Sequence, residues 1–269
     1  MTPELPPTGP VTLPEMPTVE TAPPSPWSFR DLGLFIGLGT LAFLLSYITT
    51  TAVVLVLAYS RRPSTPLGSQ YGIFTSLLFM LVFYLFLFGA VYALVAIRGR
   101  LPFLQALKWR KIAPAKALGY FVAGLVLAVA VQLAPVVFPD QANFPLQQLF
   151  SSPAVAYALG AFAVLLAPFM EELIFRGVLF AIFEDQIGLR FAIITTAVLF
   201  TAMHIPEYLG AWNHIFLLLI VGLVFSLARG LTGSLVPSVL LHAAYNLCQV
   251  GLLFIATDHF HNFQSTLLR

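Results

Sequence analysis

The amino-acid sequence predicts an all-α protein, a polytopic transmembrane helical bundle of about seven spans, or eight, with a disordered Pro-rich N-terminal tail. Two compositional facts indicate that lipid is its solvent: 59% of the 269 residues are hydrophobic and only 9% are charged. A soluble domain has about 25% charged residues, because its surface faces water. The third observation is a succession of apolar runs, most of them near the ~20 residues that a helix needs to cross the hydrocarbon.

The two ends of the chain differ in composition from its middle. Residues 1–28 contain nine prolines and few large apolar side chains, so they can neither continue a helix nor bury a core, and we expect a disordered tail. Residues 29–257 form the predicted transmembrane domain, and residues 258–269 a C-terminal tail. Cys248 is the only cysteine, which excludes a disulfide within the chain.

Seven apolar runs with short polar breaks between them are predicted to span the membrane. The first or the last long run could divide differently, which would give the eighth span. The predicted spans are Leu32–Tyr59, Tyr71–Ile97, Ala117–Phe138, Pro153–Phe183, Leu189–Ile205, Trp212–Leu227 and Leu235–Ala256.

Basic residues are distributed unequally between the two sides of these spans. The tail side holds nine lysines and arginines and the other side three, so the positive-inside rule predicts a cytoplasmic N-terminus in a multi-pass integral membrane protein. Segment Leu101–Lys116 has leucines near helical spacing beside Trp109 and several cations, and we expect an interfacial helix on the anionic inner surface. The nine are Arg30, Arg98, Arg100, Lys108, Arg110, Lys111, Lys116, Arg190 and Arg229, and the three are Arg61, Arg62 and Arg269.

A few ionisable and polar groups lie inside the apolar runs. Each such group costs several kcal/mol (about 3 for a charged side chain at mid-membrane) unless it is paired or hydrated, so each indicates a functional site. The group consists of Glu171, Glu172 and Arg176 in the fourth span, His204 in the fifth, and His242 and Asn246 in the seventh.

The positions of the two acids on the fourth span predict different roles for them. Glu172 and Arg176 are four residues apart and share a helix face, which predicts a structural ion pair. Glu171 points about 100° away and has no cation on its own helix, so we interpret it as the reactive carboxylate. Pro168 cannot donate a backbone hydrogen bond and should kink the helix just before the acids.

Helix geometry predicts that polar side chains from three spans meet near the middle of the membrane. At 1.5 Å per residue, they fall roughly 10 to 22 Å from the cytoplasmic boundary. A carboxylate beside an imidazole can activate water, and a second imidazole with an amide can stabilise an oxyanion. This set is complete for peptide hydrolysis. Two histidines and a carboxylate, here Glu171, His204 and His242, could equally hold zinc.

Three motifs in separate spans carry a resemblance to a known family. They are Glu171-Glu172-x-x-x-Arg176, Phe200-x-x-x-His204 and His242-x-x-x-Asn246, with Ala167-Pro168 before the first and Gly177 after it. In this order they resemble the motifs of the CAAX-protease and bacteriocin-processing (CPBP) family of intramembrane endopeptidases. The resemblance covers a core of about 153–250.

The resemblance implies a catalytic cluster of Glu171, His204, His242 and Asn246. Glu171 and His204 would activate water, and His242 and Asn246 would form the oxyanion hole, without a metal or other cofactor, although a zinc enzyme is the alternative. Glu172, Arg176 and Phe200 would support them, Phe200 by packing against His204 or lining the cavity. The implied partners are a peptide or protein substrate, entering from the membrane or the cytoplasmic side, and the lipid bilayer, with no nucleic acid. CaaX-type or bacteriocin-related processing is the implied activity.

Two other functional classes would also place these groups in a membrane. A proton-coupled transporter needs intramembrane Glu and His, and a non-catalytic scaffold or immunity protein could retain the cluster without turnover. Other intramembrane proteases fit less well. His204-Ile-Pro-Glu207 is not the His-Glu-x-x-His of zinc enzymes, and the predicted spans contain no aspartate pair.

Overall fold

The computed structural model describes residues 27–61, 69–99, 101–137 and 152–262. Within these ranges the chain is helical, without strands, and seven helices are long and apolar enough to cross a membrane. The predicted all-α fold with seven spans is therefore confirmed. The predicted tail up to residue 26 and the chain after residue 262 lie outside the described residues.

The spans begin and end within a few residues of their predicted limits. We number the helices in chain order, with one short helix between the second and third spans. They are α1 Phe29–Arg61, α2 Ser69–Arg98, α3 Phe103–Ala106, α4 Pro114–Val137, α5 Pro153–Ile187, α6 Leu189–His204, α7 Trp212–Thr232 and α8 Val236–Ala256.

Helix α5 lies at the centre of the bundle. It packs against α6 and α8, while α1 pairs with α2, α4 with α8, and α6 with α7. Its middle contributes buried apolar side chains such as Leu173, Val178 and Phe180. The outer faces of α1 and α2 instead carry exposed Leu, Ile and Phe, as expected of helices that face lipid. The acids of α5 therefore lie inside the bundle, next to α6 and α8.

Two π-helical turns flank the acidic pair of α5. They span Phe162–Leu166 and Leu173–Leu179, with an α-helical piece, Ala167–Glu172, between them. Pro168 is the second residue of this piece, and its missing N–H accounts for a change of hydrogen-bonding pattern at that position. The predicted kink before the acids thus takes the form of a π turn, a feature that is frequent at functional sites.

The segment after α2 differs from the predicted interfacial helix. Only Phe103–Ala106 is helical, because Lys108 adopts a left-handed conformation (φ 53°) and the Trp109 N–H bonds the Leu104 carbonyl, which ends the helix. Leu107 is fully buried and Trp109 packs edge-on against Phe169 of α5. The predicted helix over this segment is therefore limited to four residues, and Leu107 and Trp109 pack against the bundle. Its location at the membrane surface stays a prediction.

The helix ends predicted to share one side of the membrane lie at one end of the bundle. An ion pair joins Arg98 at the end of α2 to Asp31 at the start of α1 at 3.1 Å, and Lys108 lies 3.5 Å from Glu184 of α5. The Ser234 hydroxyl donates to the Arg110 carbonyl at 2.8 Å. The cytoplasmic location of this side stays a prediction.

Arg229 is not the loop residue that the sequence predicted. Helix α7 continues beyond the predicted limit of Leu227 to Thr232, and it ends where Gly233 takes a left-handed conformation. The Arg229 side chain is fully buried, its Nε donates to the Arg176 carbonyl at 3.1 Å, and its Nη2 lies 3.6 Å from Glu184 Oε2. It therefore ties α7 to α5.

Helices α4 and α8 approach most closely at Gly124. A Cβ atom at this position would overlap the Leu241 carbonyl oxygen and lie 2.8 Å from the Ala244 Cβ. Small residues at such contacts let transmembrane helices pack closely. Because Leu241 directly precedes His242, this contact also fixes the position of His242 relative to α4.

Gly124→Ala is therefore expected to destabilise the protein by about 1–3 kcal/mol, the usual cost of overpacking, and to lower activity by displacing His242. Unfolding in detergent would measure the first effect. Gly119→Ala on the same helix is the matched control, since a Cβ there meets nothing within 4 Å. Equal stabilities of the two variants would show that α4 and α8 are not held at this distance.

Candidate active site

Glu171 is the point at which three helices meet. Its Oε2 lies 3.8 Å from Nε2 of His204 on α6 and 3.8 Å from Nε2 of His242 on α8. Glu171 and His204 side chains are each 19% exposed, so the cluster can be reached from outside the protein. These separations exceed hydrogen-bond length, so Glu171 Oε2 does not bond directly to either imidazole.

The protonation pattern of His204 follows from its backbone contact. Its Nδ1 lies 2.7 Å from the Phe200 carbonyl, an atom that can only accept a hydrogen bond. The proton of the neutral ring is therefore on Nδ1, and Nε2 presents a lone pair toward Glu171. The Phe200 ring packs against the imidazole, with centroids 4.5 Å apart, which fixes the ring's orientation.

His242 is oriented by the second acid of α5. Its Nδ1 lies 2.9 Å from Glu172 Oε1, and Arg176 Nη1 donates to the same oxygen at 2.9 Å. The carboxylate accepts, so the His242 proton on Nδ1 points at Glu172 and Nε2 faces Glu171. Glu172 therefore connects the ion pair on α5 to the histidine on α8.

The ion pair of Glu172 and Arg176 is completely buried, at 0% exposure for both side chains. Arg176 makes further bonds to α7, from Nη2 to the Gly222 carbonyl at 2.8 Å and from Nε to the Ser226 hydroxyl at 3.3 Å. Its guanidinium also lies 4.7 Å from the Phe200 ring centroid. These contacts compensate the cost of burying the charge.

Asn246 donates to the backbone of α5 rather than to another member of the cluster. Its Nδ2 bonds the Ala163 carbonyl at 2.7 Å. In the first π turn, the Ala167 N–H bonds the Phe162 carbonyl, so the next bond of this pattern would join Pro168 to Ala163. Proline has no N–H to donate. Asn246 supplies the missing donor, and its amide carries a second N–H.

Sequence reasoning missed several residues that complete the site. Tyr84 of α2 contacts Glu171 from outside the three motifs, with its hydroxyl 3.3 Å from Oε1. Ser226 and Gly222 of α7 hold Arg176. A tyrosine or serine in an apolar span costs little, so only three-dimensional contacts identify these residues.

A metal centre at this site would need three or four donor atoms that converge on one ion. Zinc ligands converge to about 2.0–2.2 Å from one ion. In the described ranges of the chain, no three or more His, Cys, Asp or Glu side chains form a group that could hold a metal ion. As placed, Glu171, His204 and His242 do not form such a group.

Comparison with known protein families matches part of the chain to a family model. Residues 153–248 match the family model described as "Type II CAAX prenyl endopeptidase Rce1-like". The match covers a little over a third of the chain, includes all three motifs, and confirms the resemblance to the CPBP family. No curated protein and no solved structure matches the chain. Together with the seven apolar helices, the match supports a multi-pass, membrane-embedded protease that acts on peptide substrates within the lipid bilayer.

Proposed function

Because residues 153–248 are Rce1-like, we propose that the protein is an intramembrane endopeptidase that hydrolyses peptide bonds with a water activated by Glu171 and His204. One observation carries the proposal: Glu171 Oε2 faces the Nε2 atoms of both histidines at 3.8 Å, inside membrane-spanning helices. A carboxylate and two imidazoles that meet at a partly exposed position form a general acid–base site.

The attacking water lies between Glu171 Oε2 and His204 Nε2 in this proposal. Both atoms accept hydrogen bonds, since the His204 proton is on Nδ1. A water that donates to both turns its lone pair away from them, toward the substrate carbonyl carbon. Glu171 takes one proton from the water, and the remaining hydroxide bonds to that carbon.

The negative charge that develops on the substrate oxygen needs hydrogen-bond donors close to it. His242 Nε2 can donate when the ring carries a second proton, because Nδ1–H is already bonded to Glu172. The second N–H of Asn246 is the other proposed donor. When the intermediate collapses, the peptide C–N bond breaks and Glu171 passes its proton to the leaving amine.

The direct test is a mass-spectrometric comparison of peptides in membranes that contain the wild type or His204→Ala. Loss of His204 removes an acceptor for the water, and we expect the wild type alone to produce new peptide termini. The sequence around these termini would identify the substrate and decide between CaaX-type and bacteriocin-related processing. Identical peptide sets from both membranes, with equal protein levels, would refute the protease assignment.

The same cleavage assay tests the metal question on purified protein. In this mechanism Glu171 and His204 activate the water, so we expect chelators to leave the rate unchanged. A loss of cleavage that zinc restores would instead assign Glu171, His204 and His242 as ligands.

A further inference from the structure

Helix α2 brings one polar atom to the catalytic carboxylate. The Tyr84 hydroxyl lies 3.3 Å from Glu171 Oε1 and is the donor, because a carboxylate oxygen accepts. Tyr84 lies outside residues 153–248, so neither the three motifs nor the family match gives it a role. Through this contact, helix α2 reaches the proposed site.

The aromatic ring of Tyr84 is held independently of its hydroxyl. It stacks on Phe162 with ring centroids 5.2 Å apart and planes 22° apart, and Phe83 lies beside it at 6.3 Å. Phe162 begins the first π turn of α5. The stack therefore fixes the position of the hydroxyl relative to the helix that carries Glu171.

The two oxygens of Glu171 consequently have different partners. Oε1 accepts from Tyr84, and Oε2 faces both imidazoles. A free carboxylate rotates about its last bond with little hindrance, and such rotation would move the oxygen that takes the proton. A donor on one oxygen restricts that rotation and keeps the other oxygen directed at the water.

We propose that Tyr84 is a positioning residue that orients the Glu171 carboxylate for general-base catalysis, so that the site requires α2 as well as α5, α6 and α8. This inference rests on the proposed function. The 3.3 Å separation is longer than the ~2.7 Å of a typical O–H···O bond. Catalytic hydrogen bonds often shorten when the substrate binds, and the stacked ring allows only a small approach.

Tyr84→Phe tests the inference because it removes the hydroxyl and keeps the ring stacked on Phe162. We expect kcat to fall about 10- to 100-fold, the usual effect of losing a hydrogen bond to a charged group, with KM changed less than about twofold, since Tyr84 contacts the base and not the substrate. Tyr92→Phe on the same helix, where the side chain is exposed, should keep wild-type kinetics.

Infrared spectroscopy of protein with ¹³C-labelled glutamate gives a readout that does not depend on turnover. The difference between wild type and Glu171→Gln identifies the Glu171 carboxyl band, and Tyr84→Phe should shift this band while Tyr92→Phe leaves it in place. An unmoved band, or wild-type kcat in Tyr84→Phe, would overturn the inference. If the wild type cleaves nothing but the band shifts, the contact stands and the protease proposal fails.

Discussion

Glu171→Gln is expected to lower kcat by about 10²- to 10⁴-fold, the range that general-base catalysis contributes, while the protein remains folded. The amide has the size of the carboxylate and can still accept a hydrogen bond from Tyr84. It cannot take a proton from water. Because Glu171 is partly exposed and not part of the buried ion pair, its charge contributes to chemistry more than to stability.

Two further variants sharpen this prediction. Glu171→Asp keeps the charge but withdraws it by one methylene, so kcat should fall between the values of wild type and Glu171→Gln. Asp258→Asn removes a carboxylate that is 78% exposed beyond α8, and it should keep wild-type kinetics. Purified protein and the peptide found in membranes are sufficient for the measurement. A Glu171→Gln variant that retains a tenth of the wild-type rate would eliminate Glu171 as the base.

The helices could be predicted from sequence because hydrophobicity alone decides them. Each predicted span corresponds to a helix of the structure, and the largest disagreements are at ends. Helix α7 extends to Thr232 because Gly233, not the change in polarity at Arg229, ends it. The helix after α2 was predicted too long, because the spacing of its leucines suggests an amphipathic helix and does not reveal the left-handed residue Lys108 near its end.

Only those site residues could be predicted whose polar or charged side chains are unfavourable inside a membrane. Glu171, His204 and His242 stand out because lipid penalises them, and the structure brings these three together. Asn246 lies one turn beyond His242, but its bond to Ala163 depends on a π turn that no sequence period indicates. Tyr84 gives no such signal, because a tyrosine in an aromatic-rich helix resembles its neighbours. Local sequence patterns thus identify side chains that are unfavourable in lipid, and they do not identify the neighbouring residues, such as Tyr84, that orient them.

Glu172→Ala is expected to be the most destabilising change in the site. It removes the counterion of Arg176 from a fully buried position, and a buried charge left without its partner costs about 3–5 kcal/mol. It also removes the acceptor for His242 Nδ1, so the imidazole loses its fixed orientation. Both the free energy of unfolding in detergent and kcat should therefore fall.

A double substitution separates these two effects. Glu172→Leu combined with Arg176→Met replaces the buried pair by apolar side chains of similar size, a change that is often neutral for stability. We expect most of the stability lost in Glu172→Ala to return, while kcat stays low because Nδ1 of His242 still has no acceptor. If the double variant recovered both stability and rate, Glu172 would serve only to neutralise Arg176. Recovery of stability alone would show that the carboxylate also directs His242 toward the reacting atoms.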